Sequence, residues 1–402
     1  MYERIAARFP SLTVISGSNV NAKGLLALSM ISNSTLESIS FTDSTFTDKS
    51  INRLCIGCPG LTSLALKTVD DSDDIDADIG ITDDAVRSIV TYCPGIEKLS
   101  LSGWNCIFDD SMIALTTLAA LKELDISRCF ELTSAGVQSM LRSAGTNIEV
   151  LILANSGEVY SFKGCDDALL RCIGASCPKL KHFSVTQGSL SPNTDVTEAS
   201  LLALIGGCPL LENFLVHFEK IADTVWIHLA DCCPRLTTLD LSYVSVTEVG
   251  VATLARCKRL ENFTLYDPTP IALQSFVSNM VHYSGLKELD LSLVSLLTDQ
   301  SFCAVFQSLT RLTNVTLAYL PRLTDRSILV LVRSCPKIKN FTLYCLKGLT
   351  DRSLAALITL DDLEVLTIGS CPRLTEHTVR SIACHCWHLC VPGMVRLGLG
   401  QV

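Results

Sequence analysis

The chain has 402 residues, 48% of them apolar and 18% charged, with a net charge of −9 and an isoelectric point near 5.3. An acidic balance disfavours a general nucleic-acid binder, whose footprint is basic, while the apolar content is ample for a core. The densest apolar run, Ile328 to Val332, is far shorter than the roughly 18 residues of a membrane span, so no membrane partner is expected.

From the N-terminus onward an apolar anchor returns at 12, 36, 61, 96, 121, 148, 180, 211, 236, 260, 286, 312, 338 and 363, mostly at intervals of 24 to 27 residues. Length alone suggests two or three globular domains. A period held this tightly predicts instead one stack through 1–402, about 14 repeats sharing a continuous core. The clearest copy is Cys335-Pro336-Lys337-Ile338, Phe341 and Leu343, followed by Leu349-Thr350-Asp351 and Leu354.

Each repeat reads as a strand and then a helix. Leu239 and Leu241 alternate with Thr238, Asp240 and Ser242, the period of a strand with one buried face. Thr82-Asp83, Thr298-Asp299, Thr324-Asp325, Thr350-Asp351 and Thr375-Glu376 are helix starts. The Thr hydroxyl accepts from an orphaned backbone N–H, and the acid suits the positive end of the helix dipole. Leu354, Leu357 and Ile358 then follow at helical spacing. The Cys-Pro pair closes the helix, because Pro cannot continue it and displaces its predecessor from the helical region. Identical connections predict parallel strands on the concave face of a curved α/β solenoid, with helices on the convex face.

Three copies are stretched: the intervals from 61, 148 and 180 are 35, 32 and 31 residues. Their extra residues, 67–80, 155–166 and 187–195, fall between strand and helix and are expected on one rim, often the binding side of a solenoid. The first carries the acidic run Asp70 to Asp78, in which Asp73, Asp74 and Asp76 are candidates for attracting a basic partner. Outward strand positions supply the other candidates, His182, His217, Asp240, Tyr266 and Tyr344, with Tyr243 and Tyr319 at strand ends. Tyrosine offers contact area plus a hydroxyl and is enriched in interface hot spots. Asn213, Asn262, Asn314 and Asn340 share one position and read as a cross-strand hydrogen-bonded row.

Eight of the 19 cysteines, Cys58, Cys93, Cys177, Cys208, Cys233, Cys257, Cys335 and Cys386, fill one repeat position. Cys106, Cys129, Cys345 and Cys371 read as a second position just after a strand. Cysteines spaced this way pack as small hydrophobes and indicate reduced thiols in a reducing compartment, the cytoplasm or nucleus. Asp74, Asp76 and Asp78 match the opening of a calcium loop, but the turn glycine is Ile79 and the bidentate glutamate is Ala85. Cys55 and Cys58 lack a second pair, and Cys384, His385, Cys386, His388 and Cys390 are too adjacent to face one ion. No cofactor and no catalytic constellation is expected.

These residues resemble the cysteine-containing class of leucine-rich repeat, as found in F-box/leucine-rich-repeat proteins, the substrate receptors of SCF ubiquitin ligases. The resemblance implies a protein-binding scaffold that presents a protein substrate to a ligase. An F-box normally precedes such repeats, and only eleven residues precede Leu12. A ligase adaptor is therefore a partner only if an F-box lies outside this chain. The alternatives are a free-standing regulatory or inhibitory repeat protein that occupies a partner surface, or a small-molecule co-receptor.

Overall fold

The computed structural model describes residues 12–29, 35–68, 81–153, 165–185, 196–216, 221–242, 247–265, 270–375 and 397–398. The chain falls into two compact units, Met1–Leu211 and Glu212–Val402.

In the first unit the strands are β1 (Val14–Ser18), β2 (Ser38–Ser44), β3 (Ser63–Thr68), β4 (Lys98–Ser100), β5 (Glu123–Asp125), β6 (Val150–Ile152) and β7 (His182–Val185). They alternate with α1 (Ala22–Ser29), α2 (Asp48–Gly57), α3 (Asp83–Tyr92), α4 (Asp109–Leu115), α5 (Ser134–Ala144), α6 (Asp167–Ser176) and α7 (Glu198–Gly207). Each strand pairs in parallel with the next, from β1 to β7.

The second unit has β8 (Asn213–Val216), β9 (Thr238–Asp240), β10 (Asn262–Thr264), β11 (Glu288–Asp290), β12 (Asn314–Ala318), β13 (Asn340–Tyr344), β14 (Val365–Gly369) and β15 (Leu397–Gly398). Its helices are α8 (Asp223–Cys232), α9 (Glu248–Leu254), α10 (Pro270–Asn279), α11 (Asp299–Phe306), α12 (Asp325–Ser334) and α13 (Asp351–Leu357). The strands again pair in parallel in chain order. Parallel neighbours require a crossover, and between the strands up to β14 the helix of each repeat supplies it.

Register follows the leucine pattern. Leu64, Leu99, Leu124, Leu151 and Phe183 are partners along β3 to β7, and all are buried. Phe263, Leu289, Val315, Phe341 and Leu366 form the same buried column along β10 to β14. Burying a side chain of this size contributes about 1.5–3 kcal/mol. A shift by one residue would turn the whole column to solvent, which fixes the register.

Three further columns hold successive repeats together. The helix starts cap as expected: the hydroxyls of Thr82, Thr324 and Thr350 accept from Asp84, Arg326 and Arg352 N–H, and that of Thr298 from Ser301 N–H. The helix after Thr375-Glu376 lies outside the described residues. The acid beside many of these caps does more than favour the dipole, because its carboxylate reaches forward to the cap of the next repeat. Asp48 accepts from Thr82 N and Oγ1 at 2.8 and 2.7 Å. Asp109 does so from Thr133 at 2.9 and 2.6 Å, Asp325 from Thr350 at 2.7 and 2.5 Å, and Asp351 from Thr375 at 2.8 and 2.7 Å. The Thr-Asp pair is therefore a clamp between repeats, and each bond to a charged acceptor is worth about 1.5–3 kcal/mol.

The helix-closing cysteines form the second column. Cys58, Cys93, Cys177, Cys208, Cys233, Cys257 and Cys335 are buried free thiols, as are Cys55 and Cys129. Cys93 donates to Cys58 O at 3.4 Å, Cys208 to Cys177 O at 3.4 Å and Cys335 to Leu309 O at 3.1 Å. Each thiol thus adds a hydrogen bond to a helix-end carbonyl of the preceding repeat. Burial pushes Cys177, Cys233 and Cys335 up to about 12 and Cys257 to about 11, which keeps them as unreactive thiols. A hydrogen bond with Cys93, and then burial, push Cys55 far higher.

The second cysteine position read from sequence does not hold as one site. Cys129 is buried one residue past a strand-end turn and donates to Leu101 O at 3.2 Å, whereas Cys106 is exposed and Cys345 lies within the turn itself. Cys371 alone repeats the placement of Cys129. The cause is the third column, seven residues past the anchor, where the backbone is left-handed. Asn19, Asp43, Gly103, Arg128, Leu293, Tyr319, Cys345 and Ser370 have φ between 50° and 84°. This conformation lets the residue donate once more to the next strand before the chain leaves the sheet. Tyr319 N donates to Tyr344 O, and Cys345 N to Gly369 O, both at 3.0 Å. Asn, Asp and Gly adopt it readily, and bulkier residues at some cost.

Candidate protein-binding face

The face of each sheet opposite its helices is formed by the residues between the buried leucines, so the columns that register the core also stack these side chains. In the first unit the charged ones gather around β4 and β5. Lys98 on β4 and its register partner Glu123 on β5 form an ion pair at 2.7 Å. Asp125 accepts from Ser100 at 2.8 Å and lies 3.4 Å from Lys67. These residues line a shallow depression of about 230 Å³ with Val150 and Ile152. Beside them His182 begins β7. Burial lowers its pKa, against a weaker opposite pull from Glu123, so its imidazole is neutral at physiological pH.

In the second unit acids stand outward on β9 and β11, as Asp240, Glu288 and Asp290, and the face beyond them is uncharged. Along β12, β13 and β14 the outward residues are Asn314 and Thr316, Asn340 and Thr342, and Val365 and Thr367. Asn340 donates to Asn314 at 2.9 Å, and Asn314 donates to Glu288 at 2.6 Å. The expected row through Asn213, Asn262, Asn314 and Asn340 is thus reduced to one asparagine pair. Asn262 bonds instead to Thr238 at 3.2 Å, and Asn213 accepts from Thr237 at 3.3 Å.

At the ends of β12 and β13 Tyr319 and Tyr344 meet edge to face, with ring centroids 5.5 Å apart and an interplanar angle of 63°. They are 46% and 36% exposed, which places apolar ring surface in solvent beside two phenol hydroxyls. Such a pair is worth about 0.5–1.5 kcal/mol beyond its buried area, and it holds both rings ordered before a partner arrives. The Tyr319 phenol is raised above its usual pKa, mainly by desolvation and then by Cys345 and Tyr344. The Tyr319 hydroxyl is therefore a protonated hydrogen-bond donor at physiological pH.

Of the candidates read from sequence, Tyr319 and Tyr344 are brought together, whereas His182 stands in the first unit and Asp240 ends β9 of the second. The Asp240 carboxylate accepts from Ser242 N and Oγ at 2.8 and 2.5 Å, closing the turn after its strand. Asp290 and Ser292 repeat this turn. His217, Tyr243, Tyr266, Asp73, Asp74 and Asp76 lie outside the described residues, as do most of the three insertions and the Cys384 to Cys390 cluster. Sequence reasoning missed the Lys98–Glu123 pair and the Ser100–Asp125–Lys67 group. For the Lys98–Glu123 pair the signal was opposite charge at the same offset from successive anchors. Among the described residues no group of three or more His, Cys, Asp or Glu is arranged to hold a metal ion. No described helix is long and apolar enough to cross a membrane.

No family model and no curated protein matches this sequence. Solved structures do match. A chain of the yeast Rad7–Elc1 complex is similar over 99% of this chain and 87% of its own length, at 14% identity with a TM-score of 0.61. The fold is that of a leucine-rich-repeat solenoid. The internalin inlF from Listeria monocytogenes covers 99% of this chain and 89% of its own, at 14% identity with a TM-score of 0.40. A leucine-rich-repeat protein of Leptospira interrogans covers 97% and 94%, at 13% identity with a TM-score of 0.40. In the leucine-rich-repeat frame the outward strand columns are the ordered, repeat-spaced surface that each unit presents opposite its helices.

Proposed function

We propose that this chain is a protein-binding scaffold that recognises its partner through the sheet face of the second unit, and that it serves as the substrate-recognition part of an SCF-type ubiquitin ligase. One observation carries the recognition: an ordered, exposed tyrosine pair at the head of an uncharged Asn and Thr surface. An uncharged face with rigid aromatic anchors desolvates cheaply and suits a protein hot spot. The ligase role is supported by the cysteine-type repeats and by the fold likeness to a chain that is found in complex with Elc1. In that role the chain breaks no bond; it raises the effective concentration of a substrate near the ligase.

The test is affinity purification of the full-length product from cells with the proteasome inhibited. The ligase reading expects a ligase adaptor and a cullin among the captured proteins, together with a substrate lost on Tyr319→Ala/Tyr344→Ala. Capture of one protein by the tyrosine face with neither adaptor nor cullin would overturn the ligase role and leave a regulatory scaffold.

A further inference from the structure

Four arginines of the second unit, Arg326, Arg333, Arg352 and Arg373, line one open depression of about 570 Å³ beside α12 and α13. All four are exposed. Among the described residues none of them is ion-paired, whereas Arg87, Arg171 and Arg256 each hold a carboxylate. In a chain of net charge −9, a group of cations without acidic partners is not a product of composition. The nearby acids are already engaged. Asp325, the one carboxylate lining the depression, accepts from Thr350 N and Oγ1 at 2.7 and 2.5 Å. Asp351 is turned onto Thr375, and Asp299 onto Thr324 and Ser327, although its charge is also felt by Arg326.

Part of the lining is backbone. Two residues before the capping threonine, successive repeats carry Arg322, Gly348 and Arg373. A Cβ at Gly348 would stand 2.1 Å from Leu323 O, so this backbone approach admits only glycine. Gly348 lines the depression with bare backbone, among the arginines of α12, α13 and the following turn. Leu329 and Val330 give it a half-buried apolar wall.

We propose that this depression binds a phosphoryl group, carried by a phosphorylated segment of a polypeptide. A guanidinium fork matches two phosphate oxygens at once, and several guanidiniums around one site suit a dianion better than a carboxylate. The apolar wall fits the aliphatic stem of a phosphoserine or phosphothreonine, and the depression has room for flanking backbone. The site is built from α12, α13 and their turns, so it is separate from the tyrosine face and is tested independently of it.

The experiment titrates the full chain, at low and high salt, with inorganic phosphate, a phosphothreonine peptide and its unphosphorylated twin. The phosphopeptide should bind and its twin should not, with affinity falling as salt rises. Arg333→Gln and Arg352→Gln should each weaken binding about ten-fold, the loss of one charge-assisted contact. Their melting temperatures should not move, because both side chains are exposed. Tighter binding of the phosphopeptide than of inorganic phosphate places the ligand on a protein partner, and equal binding places it on a free phosphate; both support the site. Absence of phosphate and phosphopeptide binding at low salt, or binding indifferent to both substitutions, would overturn the proposal.

Discussion

The sheet face around β4 and β5 and the face around β12 and β13 occupy the same places in the repeat yet carry opposite chemistry. In the first, Lys98, Glu123, Asp125 and Lys67 neutralise one another across strands. In the second, Asn314, Asn340, Thr316 and Thr342 are uncharged, and Tyr319 and Tyr344 stand as exposed rings. Parallel pairing, buried leucine columns and Asp–Thr clamps between repeats recur in both. The repeat decides where a side chain stands, and the residues between the leucines decide what the surface can bind. A face whose charges are already paired must surrender them to a partner, whereas an uncharged aromatic face surrenders little.

The largest expected effects test the equivalence of the two scaffolds. Leu124→Ala on β5 and Leu343→Ala on β13 remove buried side chains from equivalent strands. Each should cost about 2–5 kcal/mol in denaturant unfolding. A cost below about 1 kcal/mol for only one of them would show that the two regions are not built alike.

The clamps come next. Asp109→Asn and Asp299→Asn each remove a charged acceptor from the next repeat's cap, and each should cost about 1–3 kcal/mol. Acid should do the same without mutation. Burial opposes ionisation of Asp167 and Asp299, but hydrogen bonds from Ser200 and Thr197, and from Ser327 and Thr324, outweigh it and hold both below the usual carboxylate value. A carboxyl depressed in the folded state stabilises above its unfolded pKa of about 3.9 and loses that contribution as pH falls through its folded value. Melting temperature measured against pH should therefore decline below about pH 4.

The surfaces should then separate. Lys98→Ala should change stability by less than about 1 kcal/mol, because its ion pair is exposed to solvent and salt. Tyr319→Ala/Tyr344→Ala should leave the melting temperature nearly unchanged while weakening partner binding by about 2 kcal/mol or more. A large loss of melting temperature in the tyrosine variant would make that pair part of the scaffold rather than of the binding face.

The repeat frame was legible because anchors such as Leu236, Leu239 and Leu241 combine period and alternation. Thr350-Asp351 likewise announced a helix start. That Asp325 grips Thr350 of the following repeat was not legible, since a contact across 25 residues leaves no local pattern beyond recurrence. The left-handed turn column was announced by Asn19, Asp43 and Gly103 but concealed by Leu293, Tyr319 and Cys345, which seldom adopt that conformation. Tyr319 and Tyr344 were legible as separate candidates. Their contact depends on that turn, and so it emerged only in three dimensions.

The central claim is that partners dock on the tyrosine side of the second unit. A photo-crosslinking amino acid placed at Tyr344 and, in a separate variant, at the exposed Ala355 of α13 tests it in cells. Crosslinks to a discrete protein from position 344, absent from position 355 and abolished by Tyr319→Ala, are the predicted result. Crosslinks from position 355 with none from position 344 would contradict the account.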